Sequence, residues 1–239
     1  MKKISKLVLG IAVTSLLIVG VQKGIKYYLQ GPPREFNSIL ISGELENVNK
    51  GKEIYKDNTK YAKDYKYKIV TNTEKMLDEK GNVEVGENGK EILVENKFLV
   101  ITKDTAKEML KDQVLRTLKN PGSGSIETKL LESIPNIDTD KTIYFGDENK
   151  DKKLEINRKD IPLEYGSYSW VGYYPSEQGS LIVTDNETYK SIEDKEQIIS
   201  LIKFDKGKKD LRNAKDKEEI KQKLSKAQIT EINYANVEK

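Results

Sequence analysis

The sequence contains neither cysteine nor histidine, and each absence closes a chemistry. Without cysteine there is no disulfide, no thiolate nucleophile and no thioether link to a lipid. Without histidine the commonest general base and the commonest zinc ligand are missing. An enzyme built on this chain would have to work with carboxylates, lysine, tyrosine or serine. Net charge is also scarce once its source is located. Residues 1–30 hold five lysines and no acid, which leaves 37 basic against 39 acidic side chains, or −2, for the rest. A near-neutral polyampholyte lacks the domain-wide basic footprint of a nucleic-acid binder, so no nucleic acid is expected as a partner.

Long apolar runs are scarce too, and the one that exists stands first. Lys2, Lys3 and Lys6 precede residues 7–21, LVLGIAVTSLLIVGV, which carry no charge. A basic start before an apolar stretch is the order of an export signal, with the lysines held in the cytoplasm. As a helix the run covers about 22 Å, short of a hydrocarbon core of about 30 Å, and counting on through Ile25 with Lys23 snorkelling lengthens it. No small-x-small cleavage site follows. Residues 1–30 therefore read as a signal anchor, with a cleaved signal peptide as the alternative. The N-terminus is expected in the cytoplasm and the C-terminal domain outside a single-pass membrane helix. Gly31-Pro32-Pro33-Arg34 breaks that helix, so 31–36 is a linker and 37–239 an extracytoplasmic domain, with two subdomains meeting near 120–140 left open.

The remaining length suffices for a true core. Strands are expected at 38–42, 65–71, 142–145, 153–156, 165–174, 180–184, 201–204 and 228–233. A meander of 83–85, 91–95 and 97–102 is punctuated by the turn pairs Gly81-Asn82 and Asn88-Gly89. Leu45, Val48 and Tyr55 lie at helical spacing. Thr105 and Glu108 have capping-box spacing, ahead of a helix that places Ala106, Leu110, Val114 and Leu118 on one face until Asn120-Pro121 stops it. Further helices are expected at 127–133, from Asp185 through Ile192, and at 210–224. A repeat organises the whole. Leu99-Val100-Ile101-Thr102 and Leu181-Ile182-Val183-Thr184 each run into polar cap residues and a helix, and Ile39-Leu40-Ile41-Ser42 is a looser copy. Such strand-to-capped-helix units predict an α+β fold, a mixed β-sheet with helices packed on one face, in which 99–101 and 181–183 are paired central strands of one core.

Two resemblances follow. Residues 181–224, with LIVTDNETYKSI, LIKFDKGKKD and a lysine-rich helix ending KEEIKQKL, resemble the membrane-distal part of FtsX/MacB-type ABC permeases. The layout also resembles small uncharacterised Bacillus-type envelope lipoproteins. Aliphatic-x-Gly precedes Val21 where a lipidated cysteine would stand, so thioether lipidation is excluded here. Neither family lends a catalytic residue. Both imply an accessory protein of the Gram-positive cell envelope, the first beside an ABC transporter.

Four stretches invite a functional reading. Asp147, Asn149 and Asp151 have the opening spacing of a calcium loop, with Leu154 at the eighth position. Lys152 replaces the turn glycine and Arg158 the bidentate carboxylate, and Asp160 falls two residues late, so a polar hairpin loop between strands ending at Phe145 and beginning at Lys153 is the better reading. Tyr165, Tyr168, Tyr173 and Tyr174 cluster around the only tryptophan, Trp170. On a strand Tyr168, Trp170 and Tyr174 share a face, which is core if buried and, if exposed, an interaction surface able to stack on a sugar or a peptide. Residues 203–226 hold ten basic and five acidic side chains, read as a solvated helix laced with pairs such as Glu219–Lys223 rather than a lipid or wall-polymer site. Ser123, in a Gly-Ser-Gly setting after a helix stop, lacks a histidine partner and a strand-to-helix elbow.

The leading expectation is a non-enzymatic, membrane-tethered protein that binds another envelope protein, by the resemblance of 181–224 an ABC permease, with no cofactor. A calcium- or cell-wall-polymer-binding module is the alternative, and a histidine-free hydrolase the second.

Overall fold

Strands such as ILI at 39–41 and IISLI at 198–202 are apolar on both pleat faces, so a sheet made of them must be covered twice. The computed structural model of the chain describes residues 36–78, 80–119, 127–147, 154–156, 158–175 and 179–238. The expected membrane helix, the linker, Ser123 with its flanking Gly-Ser segment, Asn149 and Asp151 all lie outside them. Among the described residues no helix is long and apolar enough to cross a membrane.

Phe36–Lys239 form one compact unit. In chain order the elements are β1 (Ser38–Gly43), α1 (Leu45–Tyr55), β2 (Thr59–Lys75), β3 (Leu93–Thr102), α2 (Lys103–Lys111), β4 (Leu115–Leu118), β5 (Thr128–Leu130), β6 (Thr142–Phe145), β7 (Leu154–Ile156), β8 (Lys159–Ile161), β9 (Leu163–Ser167), β10 (Ser169–Val171), β11 (Ser180–Thr184), α3 (Asn186–Ser191), β12 (Gln197–Phe204), α4 (Ala214–Lys226) and β13 (Glu231–Ala235). Eight strands form a mixed sheet in the order β13-β1-β12-β2-β3-β11-β6-β9, with β10-β4-β5 and β7-β8 as satellite sheets. The fold is thus α+β around a mixed sheet, as the repeats imply.

The helices do not share one face, contrary to the expectation above. Leu40, Tyr65, Leu99, Ile101, Ile143, Val183 and Leu201 point to the face covered by Ala106 and Met109 of α2 and by Leu115 and Val171 of the small sheet. On the other face α1 and α4 bring Val48, Tyr55, Ile220 and Leu224 over Ile39, Ile41, Ile198 and Ile202. Tyr189 of α3 and Leu154 and Ile156 of β7 cover Val70, Phe98, Val100 and Ile182 beside them. The split follows from one residue. β3 and β11 pair in parallel with Val183 opposite Ile101. The Thr102 hydroxyl caps α2 by accepting from Thr105 N–H, whereas in the second unit the cap is Asp185, accepting from Glu187 and Thr188 N–H, one register position further on. One position is half a pleat period, so the two helices leave opposite sides of the sheet. The cap of α2 is therefore Thr102 and not Thr105.

Two helix ends also depart from expectation. α2 stops at Lys111, and Leu115–Leu118 is strand β4 instead of another helical turn. Gln113 adopts φ +58°, its N–H donating to Leu110 C=O at 3.0 Å while Val114 N–H donates to Met109 C=O at 3.1 Å. α4 ends identically: Gln228 at φ +61°, with Gln228 N–H to Ser225 C=O and Ile229 N–H to Leu224 C=O. Both are Schellman motifs with glutamine where glycine usually stands, and the buried pairs Val114 with Met109 and Ile229 with Leu224 complete them. The expected helix at 127–133 is the strand β5. The strand expected at 165–174 is broken into β9 and β10 at Tyr168. β6 and β7 belong to different sheets, so no hairpin joins them.

β2 is long enough to leave the sheet. Its residues 59–67 pair with β12, but 71–75 pair only with residues 93–97 of β3. Beyond that ribbon three backbone bonds close a ring: Met76 N–H to Ile92 C=O, Ile92 N–H to Glu84 C=O and Glu84 N–H to Met76 C=O, at 2.8–2.9 Å. Two short hairpins branch from the ring, one pairing Leu77 with Val83 and the other Val85 with Glu91. Their turns are held by the carboxylate of Asp78, which accepts from Lys80 and Asn82 N–H, and by the Asn88 side chain, which accepts from Lys90 N–H. The turn pairs Gly81-Asn82 and Asn88-Gly89 do mark turns, but the segment is a three-way junction rather than a meander. Ser38 lies level with Lys203 and Tyr61, so β1 begins at one end of the sheet and this arm projects from the other.

Candidate functional site

At the arm's end of the sheet, where β3 and β11 start and β6 finishes, the strand ends leave a cleft of about 330 Å³. Asn96 and Lys97 enter it from the root of the arm, Tyr144 and Asp147 from the end of β6, Ser180 from β11, and Tyr168 and Trp170 from the break between β9 and β10. The break exists because β10 abandons the main sheet for the small one, pairing Ser169 with Thr117 and Trp170 with Arg116. Thr117 Oγ1 donates to Tyr168 C=O at 3.0 Å and holds the corner. The Tyr168 ring meets Trp170 edge-on at 5.6 Å. Tyr168 is 38% exposed and Trp170 only 6%, so tyrosine is the rim and tryptophan the wall behind it. Trp170 Nε1 donates to Tyr173 C=O at 3.4 Å, and Tyr144 OH lies 3.4 Å from Ser180 Oγ. Burial raises the Tyr144 phenol above its ordinary pKa, so it stays a neutral hydrogen-bonding group. Gly179 at the mouth has φ +102°, and a side chain there would overlap the Lys97 carbonyl, which is why the chain passes as glycine.

The cleft therefore gathers three residues the sequence singled out, Tyr168, Trp170 and Asp147. Tyr174 does not join them. Gly172, at φ +81°, turns the chain toward β13, where Tyr174 N–H donates to Asn233 Oδ1 and Asn233 Nδ2 donates to Tyr174 C=O and Val171 C=O. There Tyr173 packs edge-on against Phe36 at 4.8 Å, and Tyr234 stacks on Phe36 at 5.3 Å. Arg116 lies over Tyr173 and Lys217 over Tyr234, each 5.0 Å from the ring centre. The shared face of Tyr168, Trp170 and Tyr174 is thus divided between a cleft and a cation–aromatic cluster. Among the described residues no group of three acidic side chains is placed to hold a metal.

Sequence reasoning missed Asn96, Lys97, Tyr144 and Ser180, which carry no local motif and meet only through strand register. It also missed a buried polar knot. Asp112, fully buried, accepts from Lys63 Nζ and from Tyr65 OH, both at 2.7 Å. Burial pulls the Lys63 pKa down, but Asp112 and Glu108 outweigh it and hold the ammonium above its ordinary value. The basic run 203–226 is not a uniform patch: Lys203 is buried with its ammonium on the Val237 carbonyl, Lys209 pairs with Glu219, and Glu219–Lys223 closes at 2.8 Å.

The profile of an uncharacterised lipoprotein family matches residues 36–233. A 1.5 Å crystal structure of a presumed lipoprotein from Bacillus anthracis is similar to this chain, with a TM-score of 0.61 and 19% identity over 84% of this chain and 99% of that one. At that identity the likeness speaks for the fold. No curated protein matches the sequence.

Proposed function

This chain belongs to the uncharacterised lipoprotein family, and from that premise we propose a membrane-tethered extracytoplasmic protein of the cell envelope that binds another envelope protein without catalysing a reaction. The membership supports a membrane-associated place outside the cytoplasm. Because the sequence holds no cysteine, residues 7–21 are the anchor in this reading, in place of a thioether lipid. The observation that carries the binding role is the cleft. An exposed tyrosine leans on a buried tryptophan, and Asn96, Lys97 and Asp147 supply polar groups of both signs around them. Aromatic rims of this kind suit recognition, since the ring gives contact area at little entropic cost. The resemblance of 181–224 to the extracytoplasmic part of ABC permeases makes such a transporter the partner we expect.

A photo-crosslinking amino acid placed at position 168 of the full-length protein in its native membrane tests this. It should join the protein to a second envelope component, with a permease the specific expectation. Adducts only between copies of the chain, or none, would overturn the reading.

A further inference from the structure

The arm beyond residue 71 displays apolar side chains where a monomer has no use for them. Pleat parity around the three-bond ring places the odd-numbered residues on one side, and the ion pair between Lys75 and Glu91, 2.7 Å apart, shows that these two share it. That side carries Leu77, Val83, Val85 and Leu93, which are 56%, 36%, 56% and 58% exposed. Four large aliphatic side chains in one patch on a projecting tip differ from the singly scattered exposed residues of an ordinary surface. The tip is also preformed: the ring of backbone bonds and the two side-chain-held turns fix it without help from the body, so little ordering entropy opposes docking.

Charge decides what covers the patch. Residues 71–97 hold seven acidic and four basic side chains, a net −3 in a domain that is otherwise close to neutral. An anionic lipid surface would repel such an arm, and membrane-inserting tips carry the opposite charge. A second copy would bring the same net −3 to the contact. The complementary surface is an apolar groove bordered by lysine or arginine. We propose that the arm is the docking element for an envelope protein presenting a basic-rimmed apolar groove, with Leu77, Val83, Val85 and Leu93 as the inserted side chains. This rests on the binding role proposed above and names the surface and the chemistry of its partner. Cleft and arm root share Asn96 and Lys97, so one partner would span both.

The test uses the full-length chain in its membrane with a photo-crosslinker at position 85, beside the position-168 probe. The expected result is a second protein attached at an apolar segment flanked by lysine or arginine, mapped by mass spectrometry. In L77S/L93S, whose altered positions are exposed and whose melting temperature should stay put, the yield should fall at least about tenfold as burial of two leucines is lost. Glu87→Lys with Glu95→Lys should cut it further at low salt. Position 85 joining only to another copy, or only to lipid, would overturn the proposal. So would silence at position 85 while position 168 still crosslinks, and that result would leave the broader binding role standing. Silence at both positions would end both.

Discussion

Two glutamines and an aspartate show how far single side chains shape this fold. Gln113 and Gln228 occupy left-handed backbone that a Cβ disfavours, each as the stop of a Schellman motif. Replacing Gln228 by glycine should stabilise the protein by about 0.5–1 kcal/mol, because the strain is relieved and the exposed amide contributes nothing that is lost. Denaturant melts decide it, and a destabilised Q228G would mean that the glutamine is not under strain. These residues also explain a misreading: the apolar spacing of Ala106, Leu110, Val114 and Leu118 is helical, and with no glycine to mark the stop nothing local reveals it. Asp112, at the same helix end, is a different case. Asp112→Ala would leave Tyr65 OH and the Lys63 ammonium without their shared acceptor and should cost about 2–4 kcal/mol. The Tyr65→Phe variant in the same background should add little further loss, since the two side chains act through one bond. No spacing in the sequence hints at this knot, because 63, 65 and 112 meet only across β2 and the end of α2.

At the scale of elements, the two strand-to-helix units were the most legible part of the chain, and they pair as read, Ile101 beside Val183. Their caps are real, yet the one-residue difference between Thr102 and Asp185 was invisible as a difference of face. A cap motif announces where a helix begins and not which side of a sheet it leaves by. The charged helix α4 offers a pH test. Hydrogen bonds from Lys223 and Lys209 lower the Glu219 carboxyl from its ordinary 4.5 to about 2. A depressed folded-state pKa means that the unfolded chain takes up the proton first. The contribution of Glu219 is therefore full above about pH 4.5, and it fades as the pH falls through about 2. The melting temperature of the native protein should accordingly fall more steeply than that of Glu219→Gln between those limits. Parallel curves would show that the pairs are screened out by solvent.

At the scale of the molecule, one face of the sheet is a single apolar layer running from Leu40 at β1 through Tyr65, Leu99 and Leu181 to Phe145 at β6. A charge at its centre has no water to turn to, so Ile101→Asp should cost several kcal/mol, comparable with the stability of the whole domain. The effect should appear in one transition reported alike by Trp170 fluorescence and by far-ultraviolet circular dichroism. Two separated transitions would break the single-layer account. The cleft was only half legible for a related reason. Tyr168 and Trp170 drew notice as a cluster, but Asn96, Lys97 and Ser180 become neighbours only when β3, β11 and β6 lie side by side.

The placement of β1 has a mechanical side. It sits between β12 and β13, antiparallel to both, and it begins at the end of the sheet opposite the arm. Tension applied between Phe36 and the arm would run along β1, loading the ladders on its two flanks in shear, so that many bonds must yield together. Tension between Phe36 and residue 238 would instead pull at Ser38 and Ala235, which face each other, and peel the strands apart one bond at a time. A chain held at residue 36 and gripped by its arm is thus strained in its strong direction.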